Sequence, residues 1–156
     1  PYNPNVKKYD YNPGRAKQLL REAGWQDSDG DGILDKDGRP FKFTILTNAG
    51  NTLRKNTATI IQWRLEKIGI KVDIRTVEWS TFVNQFIDKK RFEAVLLGWS
   101  IGLDADQYDI WHSSKTREKE LNFISYSNPD LLPIHSTKIK WWPKRGDKVA
   151  GQTIVV

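Results

Sequence analysis

The chain has 156 residues, with 25 lysines and arginines against 19 acidic residues, a formal charge of +6, and no cysteine or methionine. That length suits one domain with a sizeable core, and the lack of cysteine excludes a disulfide framework, a thiol nucleophile and a thiolate metal site. Basic and acidic residues are interleaved rather than blocked, which predicts a mixed-charge solvated surface and no nucleic-acid partner. No apolar run reaches membrane-spanning length and no signal-peptide pattern is present. Because it begins at Pro1 and lacks methionine, the chain reads as a piece of something longer.

Residues 1–11 are rich in Pro, Asn and Tyr and aperiodic, so they read as a linker or lead-in. Asn12-Pro13 is a helix start, and Ala16, Leu19, Leu20 and Ala23 then recur at helical spacing until Gly24 supplies the stop. The loop QDSDGDGILDKDGRP follows. Its Asp27, Asp29, Asp31 and Asp35 copy the opening of a calcium loop, where alternate carboxylates converge on one hard cation. Counted from Asp27, the twelfth position is Gly38 rather than the bidentate Glu that such a loop needs. The alternative is an acidic, Gly-rich connection that turns the chain.

Phe41, Phe43 and Ile45 alternate with Lys42 and Thr44 as a strand. Asn51 or Thr52 then caps a long helix whose expected buried stripe is Leu53, Ile60, Ile61, Leu65 and Ile68, closed by Gly69. Ile70, Val72 and Ile74 alternate in a second strand. Ser80 is the expected cap of a helix carrying Phe82, Val83, Phe86 and Ile87, with Lys89, Lys90 and Arg91 at its negative end. Ala94 to Leu97 is apolar without alternation, which suits a strand covered on both faces.

This order predicts two crossover units, hence an α/β lobe: a small sheet with a mainly parallel core and helices on both faces. Thr47–Asn51, Val77–Trp79 and the loop after Gly98 come to its carboxyl edge, where such sheets hold ligands. That loop offers Trp99 as a flat surface and Asp104, Asp106 and Asp109 as anionic groups, whereas Trp111 is expected to pack inward. Residues 113–120 read as a polar loop or short helix and 121–126 as a short strand. Residues 129–156 read as an irregular tail, with TIVV pairing at a sheet edge.

Catalysis has little support, because the two histidines, His112 and His135, have no metal-ligand spacing and no nucleophile elbow surrounds Ser113. An enzyme is not expected. The runs YDYNPGRAKQLLREAGW, DSDGDGILDKDGRPFKFTI, WRLEKIGIKVDIRTVEWSTFVNQF and FEAVLLGWSIGLDADQYDIWHSS together resemble the C-terminal lobe of the extracellular oligopeptide- and dipeptide-binding proteins of ABC importers. The resemblance covers Tyr9 to about Asn128. It implies one lobe, 12–128, of a two-lobed receptor that closes on a peptide or related solute and delivers it to a membrane permease. A periplasmic or extracellular location follows from it, membrane-associated in the full-length protein, with no cofactor. Trp99 matches the family tryptophan, while Ile101 and Gly102 stand where the family's amine-binding aspartate is expected, so Asp104 is the nearest substitute. After Asn128-Pro129 the family continues as a long amphipathic helix, which this chain does not; an altered reading frame would account for the departure.

The expected ligand set is Trp99 as stacking wall, Asp104 or Asp106 as polar anchor, Asn48 and Asn51 as a hydrogen-bonding rim, and Trp79 beside them. Two other classes remain at this level. One is a calcium-stabilised extracellular interaction module built on Asp27 to Asp35, and the other a hydrolase using Asp109 and His112.

Overall fold

The structure, a computed structural model, describes residues 4–100, 107–127 and 153–155. Helix α1 (Pro13–Glu22) is followed by the two-residue strands β1 (Asp35–Lys36) and β2 (Arg39–Pro40), which pair antiparallel. Strand β3 (Lys42–Asn48), helix α2 (Thr52–Glu66), strand β4 (Lys71–Val77), a short helix α3 (Trp79–Thr81) running into a π-helical turn (Phe82–Ile87) and strand β5 (Ala94–Val95) come next. They form a three-stranded sheet in the order β4-β3-β5, with Ile45 opposite Ala94 and Leu46 opposite Val95 in parallel register. Strand β6 (Gly98–Ser100), helix α4 (Tyr108–Trp111), a 3₁₀ turn (Ser113–Lys115) and strand β7 (Thr153–Val155) complete the described elements. The α/β class expected from the sequence is the one observed.

The chain divides into two compact units, residues 1–43 with 59–73 and residues 44–58 with 74–156. In the first, Asn12 caps α1 by accepting the Arg15 N–H at 2.8 Å. At the other end Gly24, at φ +87°, lets the Gly24 and Trp25 N–H groups reach the Arg21 and Leu20 carbonyls, a Schellman closure. Only Ala16 and Leu20 of the expected α1 stripe are half-covered, and Leu19 stays 48% exposed. Trp25 packs on Phe41 with ring centroids 4.4 Å apart. The Leu34 N–H reaches the Gly69 carbonyl at 2.7 Å, and at Gly69 a Cβ would come within 2.8 Å of the Leu34 side chain. Gly69 therefore ends α2 and also admits Leu34.

The stripe predicted for α2 is rotated. Ala58 is the buried residue, with Ile61, Leu65 and Ile68 half-buried, while Leu53 and Ile60 face water. The expected set mixed two faces, since Leu53 and Ile60 lie seven residues apart on the solvent side.

In the second unit Leu46, Phe82, Ile87 and Phe123 form the buried core, with Val77, Phe86, Phe92, Val95, Leu97 and Trp99 packed against it. The predicted strand 94–97 is shorter than expected. Its ladder ends after the Leu96 N–H meets the Leu46 carbonyl, and the Leu96 carbonyl is taken by the buried Thr47 hydroxyl at 2.9 Å. A side chain here replaces a ladder bond, which frees the chain to leave the sheet at Gly98. Strand β6 pairs antiparallel with β7 in a two-stranded sheet of its own, so Thr153–Val155 does pair, but not at the edge of the parallel sheet.

Helix α3 is capped by Glu78, not Ser80. The Glu78 carboxylate accepts the Ser80 and Thr81 N–H groups at 2.8 and 3.0 Å and the Ser80 hydroxyl at 2.5 Å. Three residues past the π turn comes Lys90, whose φ of +52° is left-handed. Rather than lying at a helix end as a dipole partner, the Lys90 amine donates to the Thr116 carbonyl at 2.6 Å and the Ser125 hydroxyl at 2.5 Å.

Residues 121–127 are irregular backbone around a turn at 123–124 rather than the expected strand. The cause is Asn122, fully buried, whose Nδ2 donates to the carbonyls of Tyr126 at 2.8 Å, His112 at 3.1 Å and Trp111 at 3.4 Å, while its Oδ1 accepts the Tyr126 N–H at 2.9 Å. One amide thus satisfies backbone groups that a strand would have paired in a ladder.

Asn122→Ala is expected to leave these groups unpaired and to cost on the order of 3 kcal/mol in urea denaturation, and Asn122→Asp, with no N–H to donate, should fall as far. The Ser80 and Thr81 donors hold the Glu78 carboxyl down to about 2 from 4.5. Stabilisation from this depressed group is complete above about pH 4.5 and is lost as pH falls through about 2. The thermal midpoint of the wild type should therefore drop more steeply across that window than that of Glu78→Gln.

Candidate functional site

The carboxyl ends of β3 and β4 meet in the second unit, where the Ala49 N–H donates to the Val77 carbonyl at 2.6 Å. Asn51 caps α2 through its Oδ1, which accepts the Arg54 N–H at 2.9 Å. Asn48 accepts the Arg54 guanidinium at 2.6 Å through its Oδ1 and donates from Nδ2 to the Ala49 carbonyl at 3.0 Å. Both expected rim residues are thus brought to this edge, with these polar atoms engaged in building the turn. Trp79 starts α3, half exposed, its ring 5.8 Å from that of Phe82.

Trp99 lies at the middle of β6, half-buried, and stacks on Phe123 at 5.7 Å and 27°. It borders an apolar cavity of about 220 Å³ walled by Phe92, Val95, Leu97, Ile110 and Phe123 among others. Among the described residues Glu93 is the one charged residue on that wall, and its carboxylate accepts the Thr44 N–H at 2.8 Å. The cavity is therefore suited to an apolar group, with Trp99 as a flat boundary. Asp104 and Asp106 lie outside the described residues.

Trp111 packs inward as expected. Its indole N–H donates to Gln107 Oε1 at 2.8 Å and its ring meets Tyr126 edge-on at 5.9 Å. His112 is stacked on Tyr108 at 4.3 Å, and its Nδ1 accepts the Ser114 N–H at 3.2 Å beside the Ser114 hydroxyl at 2.8 Å. Asp109 instead pairs with Lys115 at 2.9 Å, and that carboxylate raises the Lys115 pKa. The carboxylate nearest in sequence to His112 is thus engaged by a lysine.

In the first unit the Asp27, Asp29 and Asp31 carboxylates come within 4.8 Å of one another, all exposed. Each also closes a turn. Asp27 accepts the Gly30 and Gly32 N–H groups at 2.8 and 3.0 Å, Asp29 that of Asp31 at 3.2 Å, and Asp31 that of Ile33 at 2.7 Å. Asp35 is drawn away from this trio, accepting the Ser28 N–H and hydroxyl at 2.8 and 2.7 Å, which lowers its pKa. The four-carboxylate set read from the sequence is thus a trio and a separate turn anchor.

Sequence reasoning missed what Thr47, Glu78, Lys90 and Asn122 do. Glu78 was the accessible one, as an acid just ahead of a helix start. Thr47 and Asn122 act through burial, which spacing does not reveal.

Residues 1–120 match the family model of the bacterial extracellular solute-binding proteins, family 5 middle. The oligopeptide-binding protein AppA of Bacillus subtilis is 48% identical over 131 residues, which is 83% of this chain and 24% of that protein. The solved structure of that protein in complex with a nonapeptide superposes with a TM-score of 0.77, covering 83% of this chain and 26% of that one at 47% identity. NikZ from Campylobacter jejuni in complex with Ni(L-His) superposes with a TM-score of 0.72 at 29% identity, over 81% of this chain and 26% of that one. The chain therefore spans about a quarter of the length of these relatives. On the family match and this shared fold, the chain belongs to the family 5 bacterial extracellular solute-binding proteins.

Proposed function

We propose that this chain is one lobe of a receptor that captures a peptide or related solute without chemistry and delivers it to the membrane permease of an ABC importer. The full-length protein then works in the periplasm or outside the cell, associated with the membrane. The observation that carries this reading is the 48% identity to an oligopeptide-binding protein across 83% of the chain. The apolar cavity beside Trp99, at the end of a parallel strand, agrees with it. In this reading Trp99 stacks on the solute, Asp104 or Asp106 holds its cationic group, and Asn48, Asn51 and Trp79 border it. No cofactor takes part, and the acidic loop of Asp27, Asp29, Asp31 and Asp35 serves as a turn.

One wall cannot enclose a ligand, so the isolated chain should bind weakly and gain affinity when joined to the remaining part of a full-length relative. A thermal-shift screen against peptides, sugars and divalent metals is the test. Stabilisation of the joined protein by peptides, unchanged by a chelator and weakened about tenfold by Trp99→Ala, is the expected result. Stabilisation by calcium alone, with no response to any solute, would overturn it.

A further inference from the structure

Residues 4–11 are exposed throughout and carry Tyr9, 83% exposed, and Tyr11, 66% exposed. In the same unit Ile60, Trp63 and Arg64 recur at the spacing that puts them on one face of α2, and Lys67, the first residue past the helix end, follows Trp63 by four. That face is left in water, with Ile60 52% and Trp63 54% exposed. The Arg64 guanidinium lies 4.7 Å from the Tyr11 ring centroid, which lays the lead-in against this face. Lys67 Nζ sits 3.3 Å from the Trp63 ring, and Lys7 Nζ 4.9 Å from that of Tyr9.

A cation held over a neutral ring leaves a net positive charge at the site, whereas a cation and a carboxylate together sum to zero. None of the ion pairs among the described residues, Arg15–Glu22, Lys42–Asp73 and Lys115–Asp109, uses Lys7, Arg64 or Lys67. Glu66, turned about a third of the way round the helix from the centre of this face, lines a groove with Lys17, Arg21, Lys67 and Asp27, three cations against two carboxylates. Asp10 is the single acid of the lead-in, against Lys7 and Lys8. The face is therefore both aromatic and net positive.

We infer that this face docks on an anionic lipid surface, the Tyr and Trp rings at headgroup depth and Lys7, Arg64 and Lys67 against lipid phosphates. A protein partner would call for a contiguous apolar centre, and here every ring is partly covered by a cation. Exposed tyrosine and tryptophan with uncompensated basic residues is instead the composition of a membrane interface. No helix among the described residues is long and apolar enough to cross a membrane, so the contact is peripheral. The inference goes beyond solute capture and does not depend on which solute is carried.

The test is co-sedimentation of the 156-residue chain with vesicles of phosphatidylcholine alone or mixed with phosphatidylglycerol, in about 0.05 M and about 0.5 M salt. Binding to the anionic vesicles only, lost at the higher salt, is expected. Arg64→Gln with Lys67→Gln should weaken it about tenfold or more, and Trp63→Ala by a comparable factor, whereas Lys17→Gln with Arg21→Gln should leave it unchanged. These side chains are exposed, and far-UV circular dichroism confirms that each variant is folded. Absence of binding, equal binding to neutral vesicles, or equal weakening by both double substitutions would overturn the inference. Concentration-dependent self-association abolished by Trp63→Ala would overturn it in favour of a second copy of the chain.

Discussion

The second unit hangs on a short stretch of parallel pairing that is finished by a side chain. Ile45 and Leu46 register with Ala94 and Val95, and the Thr47 hydroxyl then takes the Leu96 carbonyl. Because Thr47 is fully buried, this polar contact forms where water cannot compete, and an apolar isostere would leave the carbonyl without a partner. The bond lets the backbone stop being a strand without leaving a buried group unsatisfied. Gly98 and Trp99 can then depart along a new line, and the position of Trp99 at the cavity follows from where the ladder ends.

The opposite side of the cavity is irregular backbone, held by two side chains rather than by secondary structure. Asn122 gathers the carbonyls of Trp111, His112 and Tyr126, and Lys90 joins Thr116 to Ser125. Phe123, the residue after Asn122, is the buried ring on which Trp99 stacks. The wall is thus a loop with the definition of a core element, which suits a binding surface that must hold its shape.

The class of fold was legible in the sequence because it rests on period: the alternation at Phe41 to Ile45 and Ile70 to Ile74, and the caps at Asn12 and Asn51, all describe local geometry. What was not legible depends on contacts distant in sequence. The solvent side of α2 was misassigned because Leu53 and Ile60 satisfy a helical period as well as the covered residues do. The strand expected at 121–126 failed because a buried amide, whose partners lie ten and eleven residues away, outcompeted β-propensity. The Asp-rich loop carried a strong motif, yet Asp35 bonds to Ser28 instead of joining the other three, a choice made by the turn and not by the spacing.

Lys89-Lys90-Arg91 is, as bare sequence, an invitation to trypsin-like proteases. In the folded chain the Lys89 amine is held by Gln85 at 2.8 Å, the Lys90 amine is held twice, and Lys90 has a left-handed backbone. A protease needs several residues in extended form with a basic side chain free to enter its specificity pocket, and at Lys90 the left-handed backbone and the engaged amine withhold both until the segment opens locally. The same clamp that shapes the cavity wall thus also withdraws Lys90 as a cleavage point.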